Sequence, residues 1–250
     1  MPAGLVSGCV YGPAVWYRLH RSVNCALLAL AILATPGASQ DFTRLRERMI
    51  REQIEARGVR SPAVLAAMRT VPRHLFVPPA SRSAAYEDRA LSIEYGQTIS
   101  QPFIVGLMTE LLEPRGSHQV LEIGTGSGYQ AAVLSRLVKQ VYTIEIIEPL
   151  ATAARAQLKS LGYRNVFVRT GDGYKGWPEA APFDRIILTS APPEMPQALI
   201  DQLKPGGRAV GPVGRSPLNQ DLMVLDKDEA GRITQRSVIP VRFVPMVPGK

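Results

Sequence analysis

The chain has 250 residues, 46% of them hydrophobic and 20% charged, with a formal net charge of +8. That is the make-up of an ordinary globular protein, with room for one α/β domain and appended elements. Lysine and arginine are scattered without a dense basic block, which reads as a solvated basic surface and speaks against a nucleic-acid partner. Residues 1–40 differ from the rest: Arg18 and Arg21 precede an unbroken apolar run at 25–34, and Thr-Pro-Gly-Ala-Ser follows at 35–39. Charged, apolar and small-residue stretches in that order form a secretory signal, and the run is too short to cross a bilayer as a mature helix. The segment itself favours export. The alternative is a start at Met49, from which the chain stands as a cytosolic protein.

From 41 to 57, Phe42, Leu45, Met49, Ile50 and Ile54 recur at helical spacing, and Gly58 closes the helix. Ser61 is an N-cap ahead of Pro62, opening a second helix through Met68. Prolines then break residues 71–79 into an extended loop. Residues 41–90 read as a helical extension packed on a main domain at 91–250. In that domain a polar, turn-forming stretch at 95–102 leads into a helix at 103–112. Its place just before the central strand fits a loop lying over a ligand mouth, with an ordinary connector as the alternative.

Residues 120–130 organise the domain. An apolar strand carries Glu122 near its end, Gly124, Gly126 and Gly128 alternate, and a helical pattern begins at Ala131. Strand, Gly-rich turn and helix in that order hold nucleotide-like cofactors in doubly wound α/β domains. A dinucleotide fingerprint needs G-x-G-x-x-G, but here the third glycine comes one position early, and Glu122 is unwelcome beside a pyrophosphate at a helix N-terminus. A carboxylate at a strand end fits a cationic ligand better, such as the ammonium and sulfonium of S-adenosyl-L-methionine. A second strand at 141–145 ends in Glu145, at the spacing that grips a ribose diol. A helix at 148–161 and a strand at 165–169 follow. Next comes Asp172 between Gly171 and Gly173, placed either to meet an adenine amino group or to make a common Asp-Gly turn. A fourth strand at 183–189, a helix at 195–203, a fifth strand at 208–213 and an antiparallel pair at 221–225 and 233–241 complete the pattern. The expected fold is α/β, doubly wound, with a mostly parallel Rossmann-like sheet and an N-terminal helical extension.

The string Val-Leu-Glu-Ile-Gly-Thr-Gly-Ser-Gly-Tyr at 120–129 resembles the first motif of class I S-adenosylmethionine-dependent methyltransferases. Gly-Gln-Thr-Ile-Ser-Gln-Pro at 96–102, Val-Pro-Arg at 71–73, Phe-Val-Pro at 76–78, Gly-Asp-Gly-Tyr at 171–174 and Val-Arg-Phe-Val-Pro-Met at 241–246 narrow it. Together they resemble the protein-L-isoaspartate O-methyltransferase family, from about Met49 to Met246. Thr-Ser-Ala-Pro at 189–192 departs slightly from the family's Thr-Ala-Ala-Pro. The resemblance implies methyl transfer from S-adenosyl-L-methionine to the free α-carboxylate of L-isoaspartyl residues in aged proteins and peptides, by a cytoplasmic, monomeric enzyme without a metal. It implies Ser100 as the active-site residue, with Thr98, Ile99 and Val213 beside it at the substrate. Glu122, Gly124 and Gly126 are implied at the methionine part of the cofactor, Glu145 at the ribose and Asp172 at the adenine, with Gly128 and Gly171 in the same cofactor-binding set.

A carboxylate is already ionised at neutral pH, so this chemistry needs no strong general base. That agrees with the absence of any Ser-His-Asp or Cys-His pattern: the only cysteines, Cys9 and Cys25, precede residue 40, and His20, His74 and His118 lie far apart. Ser100 is expected to orient the substrate carboxylate and not to attack it, because a hydroxyl without a base is a poor nucleophile. A methyltransferase acting on RNA or a small molecule, and a protein that holds the cofactor without turnover, are the alternatives.

Overall fold

α1 (Phe42–Met49) starts where the sequence places it, with the Asp41 carboxylate accepting the Arg44 N–H at 3.0 Å. In this computed structural model, which describes residues 41–216 and 218–249, the helix runs on through a π turn at Ile50–Ile54 and a 3-10 turn to Gly58. The signal-like segment at 1–40 lies outside the described residues. α2 (Pro62–Thr70) is capped by the Ser61 hydroxyl, which accepts the Val64 N–H at 3.4 Å. The proline-rich stretch after it makes two short 3-10 turns. A two-stranded hairpin follows, β1 (Leu91–Ser92) against β2 (Thr98–Ile99), and then α3 (Pro102–Leu111).

The sheet is built from β3 (Gln119–Ile123), β4 (Gln140–Glu145), β5 (Val166–Thr170), β6 (Phe183–Leu188), β7 (Leu203–Ser216), β8 (Asn219–Lys227) and β9 (Ile233–Val241). Its order is β5-β4-β3-β6-β7-β8-β9. The first five strands run parallel and the last two antiparallel. Both faces are covered, so β3 and β6 are mostly apolar, as buried parallel strands are, with Glu122 and Arg185 as buried charged exceptions. Val120, Val141, Ile187 and Val210 share one core with Met49, Ile54, Val64 and Met68 of the N-terminal extension. Leu121, Ile123, Ile186 and Leu188 belong to a second core on the opposite face. α4 (Tyr129–Leu134), α5 (Glu148–Ser160) and α6 (Gln197–Asp201) complete the layers.

Several boundaries differ from expectation. α4 and α6 are shorter than their apolar patterns. β7 begins at Leu203, so the Lys-Pro-Gly-Gly stretch at 204–207 lies inside a strand instead of ending a helix. Phe183 and Arg185 of β6 face Leu203 and Arg208, so the extra β7 residues form an irregular bulge. Among the described residues no helix is long and apolar enough to cross a membrane. β3 lies between β4 and β6, which places the reversal of strand order, and hence the ligand crevice, at the carboxyl end of β3.

Candidate active site

The chain leaves β3 through Gly124 at φ 99°, where a Cβ would run into the Thr189 hydroxyl. That hydroxyl lies 2.5 Å from the Gly124 carbonyl oxygen and 3.1 Å from that of Ile123, joining the ends of β3 and β6. The N–H groups of Gly124 and Thr125 donate to the Ile144 carbonyl at 2.8 and 3.2 Å. The Glu145 carboxylate, 6% exposed, accepts the Gly126 N–H at 2.9 Å and the Ile147 N–H at 3.1 Å. One acid at the end of β4 therefore holds the turn in place. Gly128, at φ 85°, caps α4, and a Cβ there would press on Leu158 at 3.1 Å. It serves helix packing and does not line the cleft.

The resulting cleft is walled by Ile123, Gly124, Glu145, Ile146, Thr189 and Met246, with Gln97 and Thr98 of the hairpin on its rim. The loop at 95–102 thus borders this cleft. A smaller cleft shares Thr98, Gly124, Gly126 and Thr189 and continues past Ile99, Ser100 and Gln130. A groove then leads from Thr98 and Ser100 past Phe103 to Val241 and Phe243. No lysine or arginine lines either cleft, so a cationic ligand meets no like charge there. Ser100 lies between β2 and α3, half-buried, and its hydroxyl has no hydrogen-bond partner among the described residues. Of the expected substrate set, Thr98, Ile99 and Ser100 come together. Val213 lies on β7, next to Gly214, whose N–H donates to Pro192, and lines neither cleft.

Glu122 lies where the sequence reading did not put it. Ile123 faces the cleft, and side chains alternate along a strand, so Glu122 points to the opposite face, opposite Thr143. It is fully buried, neither oxygen has a hydrogen-bond partner, and Thr143 is instead bonded to Thr125 at 2.7 Å. Burial pushes the Glu122 carboxyl up to about 8; the neighbouring Thr143 hydroxyl opposes the shift and the Glu145 charge adds to it. It is a neutral acid beneath the turn. Asp172 accepts the Tyr174 N–H at 2.9 Å and caps a 3-10 turn, with only its neighbour Gly173 on the cleft wall. Gly171 donates to the Glu145 carbonyl at 2.9 Å and is likewise set back from the cleft.

Sequence reasoning gave no role to the C-terminal tail, which supplies Val244, Pro245, Met246 and Val247 to the cleft. Ala191 pins it through its N–H to Val244 (2.9 Å) and its carbonyl from the Met246 N–H (2.8 Å). The Tyr174 hydroxyl donates to the Met246 carbonyl at 3.2 Å. The buried Gln220 amide accepts the Phe243 N–H at 2.7 Å and donates to the Phe243 carbonyl at 3.2 Å. The motif at 241–246 was visible in the sequence; its position over the cleft was not. Among the described residues, no group of three or more His, Cys, Asp or Glu could hold a metal ion. The glycine exit, the apolar walls and an acceptor carboxylate fit S-adenosyl-L-methionine.

A sequence model of the protein-L-isoaspartate(D-aspartate) O-methyltransferase family matches residues 44–250. A protein-L-isoaspartate O-methyltransferase of Synechococcus sp. (strain JA-2-3B'a(2-13)) is 54% identical over 218 residues, 85% of this chain and 89% of that protein. Protein-L-isoaspartate O-methyltransferase 2 of Syntrophobacter fumaroxidans is 51% identical over 233 residues, 89% of this chain and 94% of that protein. A solved protein-L-isoaspartate O-methyltransferase superposes with a TM-score of 0.71 at 31% identity, covering 80% of this chain and 65% of its own length. A Plasmodium falciparum structure in complex with S-adenosyl-L-homocysteine has the same fold, with a TM-score of 0.71 at 21% identity over 84% of this chain and 99% of that one. Matched over most of its length by the family's model and by relatives more than half identical to it, the chain belongs to the protein-L-isoaspartate(D-aspartate) O-methyltransferase family.

Proposed function

We propose that this protein methylates the free α-carboxyl of L-isoaspartyl residues in damaged proteins and peptides, using S-adenosyl-L-methionine, as a step in their repair. The observation that carries this reading is the free Ser100 hydroxyl, placed where the cofactor cleft passes into an open groove. When bound, S-adenosyl-L-methionine supplies a methyl group made electrophilic by its sulfonium. The chain's own task is alignment: the substrate oxygen must approach in line, with reacting atoms about 3 Å apart. Ser100 donates to one carboxylate oxygen and leaves the other free to attack. No base is required, because the attacking oxygen carries no proton at neutral pH.

Glu145 uses two acceptor positions on backbone N–H groups and keeps others for ribose hydroxyls. Asp172, one residue back from the cleft wall, has one carboxylate oxygen not bonded to the Tyr174 N–H, and on this reading that oxygen meets an adenine amino group at the cleft's edge. Thr189 and Gly124 shape the floor, and the hairpin and tail shield the centre from water. The methyl ester then loses methanol to a succinimide, which opens in part to normal aspartate. The reading places the enzyme with its methyl donor in the cytoplasm, and N-terminal mass spectrometry of the native protein after fractionation tests that against export. Function is tested by radiolabelled methyl transfer: an isoaspartyl peptide is labelled, the matching aspartyl peptide and RNA are not. Labelling of RNA, with the isoaspartyl peptide inert, would replace this reading with a nucleic-acid methyltransferase.

A further inference from the structure

We infer that Arg73 is a positioning residue for methyl transfer: its buried guanidinium ties the Ser100 backbone to the N-terminal extension and so aims the Ser100 hydroxyl. The inference rests on the reading of Ser100 as the group that orients the substrate carboxylate.

Arg73 is 0% exposed. Its Nε donates to the Ala85 carbonyl at 2.8 Å and its Nη2 to the Ser100 carbonyl at 2.7 Å. The guanidinium lies over the Tyr129 ring, 4.9 Å from its centroid, and Tyr129 in turn lines the smaller cleft beside Ser100. Among the described residues no carboxylate forms a salt bridge with Arg73, and its Nη1 has no acceptor. Burial brings the group down to about 10, so it stays charged at neutral pH. A buried, unneutralised cation is an expensive way to satisfy two carbonyls, which neutral donors could also reach. A rigid planar fork does something a neutral donor does not. It fixes two carbonyls relative to one another with charge-assisted bonds.

Ile99 and Phe103 on either side of Ser100 pack into the core, but among the described residues Arg73 is the side chain that bonds the Ser100 backbone. β1 and β2 pair over only two residues each, and the hairpin tip carries the exposed Tyr95 in a left-handed conformation at φ 57°. On the outer side, the Gln101 amide donates to Asp88 at 2.8 and 3.1 Å, through solvent-exposed bonds. The Arg73 bond is therefore the interior anchor of the residue whose hydroxyl faces the groove. An ammonium in its place keeps the charge and loses the fork, so lysine cannot hold both carbonyls in this geometry.

The test compares the full-length Arg73→Lys, Ser100→Ala and double variants, reading kcat and KM for an isoaspartyl peptide, Kd for S-adenosyl-L-methionine by calorimetry, and Tm. Arg73→Lys is expected to lower kcat/KM about 10- to 100-fold, the scale of a misplacement of about an ångström, with cofactor Kd within about twofold of the parent. The double variant should be no worse than Ser100→Ala alone, because the two residues act through one hydroxyl. If Ser100→Ala keeps parental activity, the reading of Ser100 fails, and this inference with it. Loss of activity in Ser100→Ala beside a fully active Arg73→Lys overturns the inference alone. So do additive losses, or a parallel loss of cofactor binding. If Arg73→Lys does not fold, Arg73→Gln, which keeps a donor for one carbonyl, carries the comparison; collapse of both assigns the bridge to stability and overturns the positioning role.

Discussion

At the scale of single residues, the site divides into groups that meet the ligands and groups that hold those in place. On the proposed role of Ser100, Ser100→Ala would remove one orienting hydrogen bond at the reacting centre and is expected to lower kcat/KM about 10- to 1,000-fold. Cofactor affinity should stay unchanged by calorimetry, and equal losses in both would make Ser100 a structural residue. Gly124 and Gly126 both have positive φ but differ in their surroundings. A Cβ at Gly124 meets the Thr189 hydroxyl, whereas one at Gly126 meets only the tip of Ile93 at 3.7 Å. Gly124→Ala should therefore cost about 2–4 kcal/mol of stability and more than tenfold in cofactor affinity, and Gly126→Ala distinctly less of both; equilibrium denaturation and titration calorimetry rank the two. Glu122 is a stability residue with a sign that can be worked out. Its ordinary value of 4.5 rises to about 8 in the fold. Between those values the folded protein keeps a proton that the unfolded chain releases, so stability falls as pH rises through that window. Glu122→Gln removes the loss and should gain on the order of 3 kcal/mol at pH 7. The gain should show as a Tm above the parent at pH 8 and close to it at pH 4.5. A variant less stable than the parent at pH 8 would mean the carboxylate is ionised and needed.

At the scale of elements, the cleft is assembled from pieces remote in sequence. β3 and β4 bring the glycine turn and Glu145, β6 brings Thr189, and the hairpin brings Thr98 and Ser100. The tail after β9 closes one wall and is held mainly by main-chain bonds to Ala191 and by the Gln220 amide. Gln220→Ala leaves both backbone polar groups of the half-buried Phe243 without their side-chain partner, which loosens the tail. Cofactor binding should weaken several-fold, with hydrogen exchange speeding up in residues 243–247 and not in β3. Unchanged exchange in the tail would show that Ala191 and Tyr174 hold it without Gln220.

At the scale of the whole molecule, the extension and the sheet share one core, in which Met49, Ile54 and Met68 join Val120, Val141 and Ile187. Elements that bury one another's apolar faces melt together. Thermal unfolding should therefore show one transition for both, and S-adenosyl-L-homocysteine at about 100 times its Kd should stabilise it by about 2.7 kcal/mol. A second, ligand-insensitive transition would show that the extension folds independently.

The sequence by itself determined the parts whose physics is local. Ser61 and Gly58 mark helix ends because caps act over three or four residues. The strand alternation and the spaced glycines marked the sheet and its turn, and Glu145 was legible as an acid at a strand end beside that turn. The family's motifs placed Ser100 in the loop that the structure brings to the cleft. Only the tertiary structure decided which face of β3 looks into the cleft. A central strand buried on both sides gives no sign of which face meets the ligand, so Glu122 looked like a ligand contact and lies buried on the face away from the cleft. The bulge at 204–207 was hidden for a similar reason: Pro-Gly-Gly is a stop signal locally, and only the pairing on either side of it, Leu203 with Phe183 and Arg208 with Arg185 and Asp226, makes it an unpaired bulge within one strand. Thr189 on Gly124, Gln220 on Phe243 and Arg73 on Ser100 join residues 65, 23 and 27 positions apart. No local pattern encodes such bonds, because each exists only after the chain has folded back on itself.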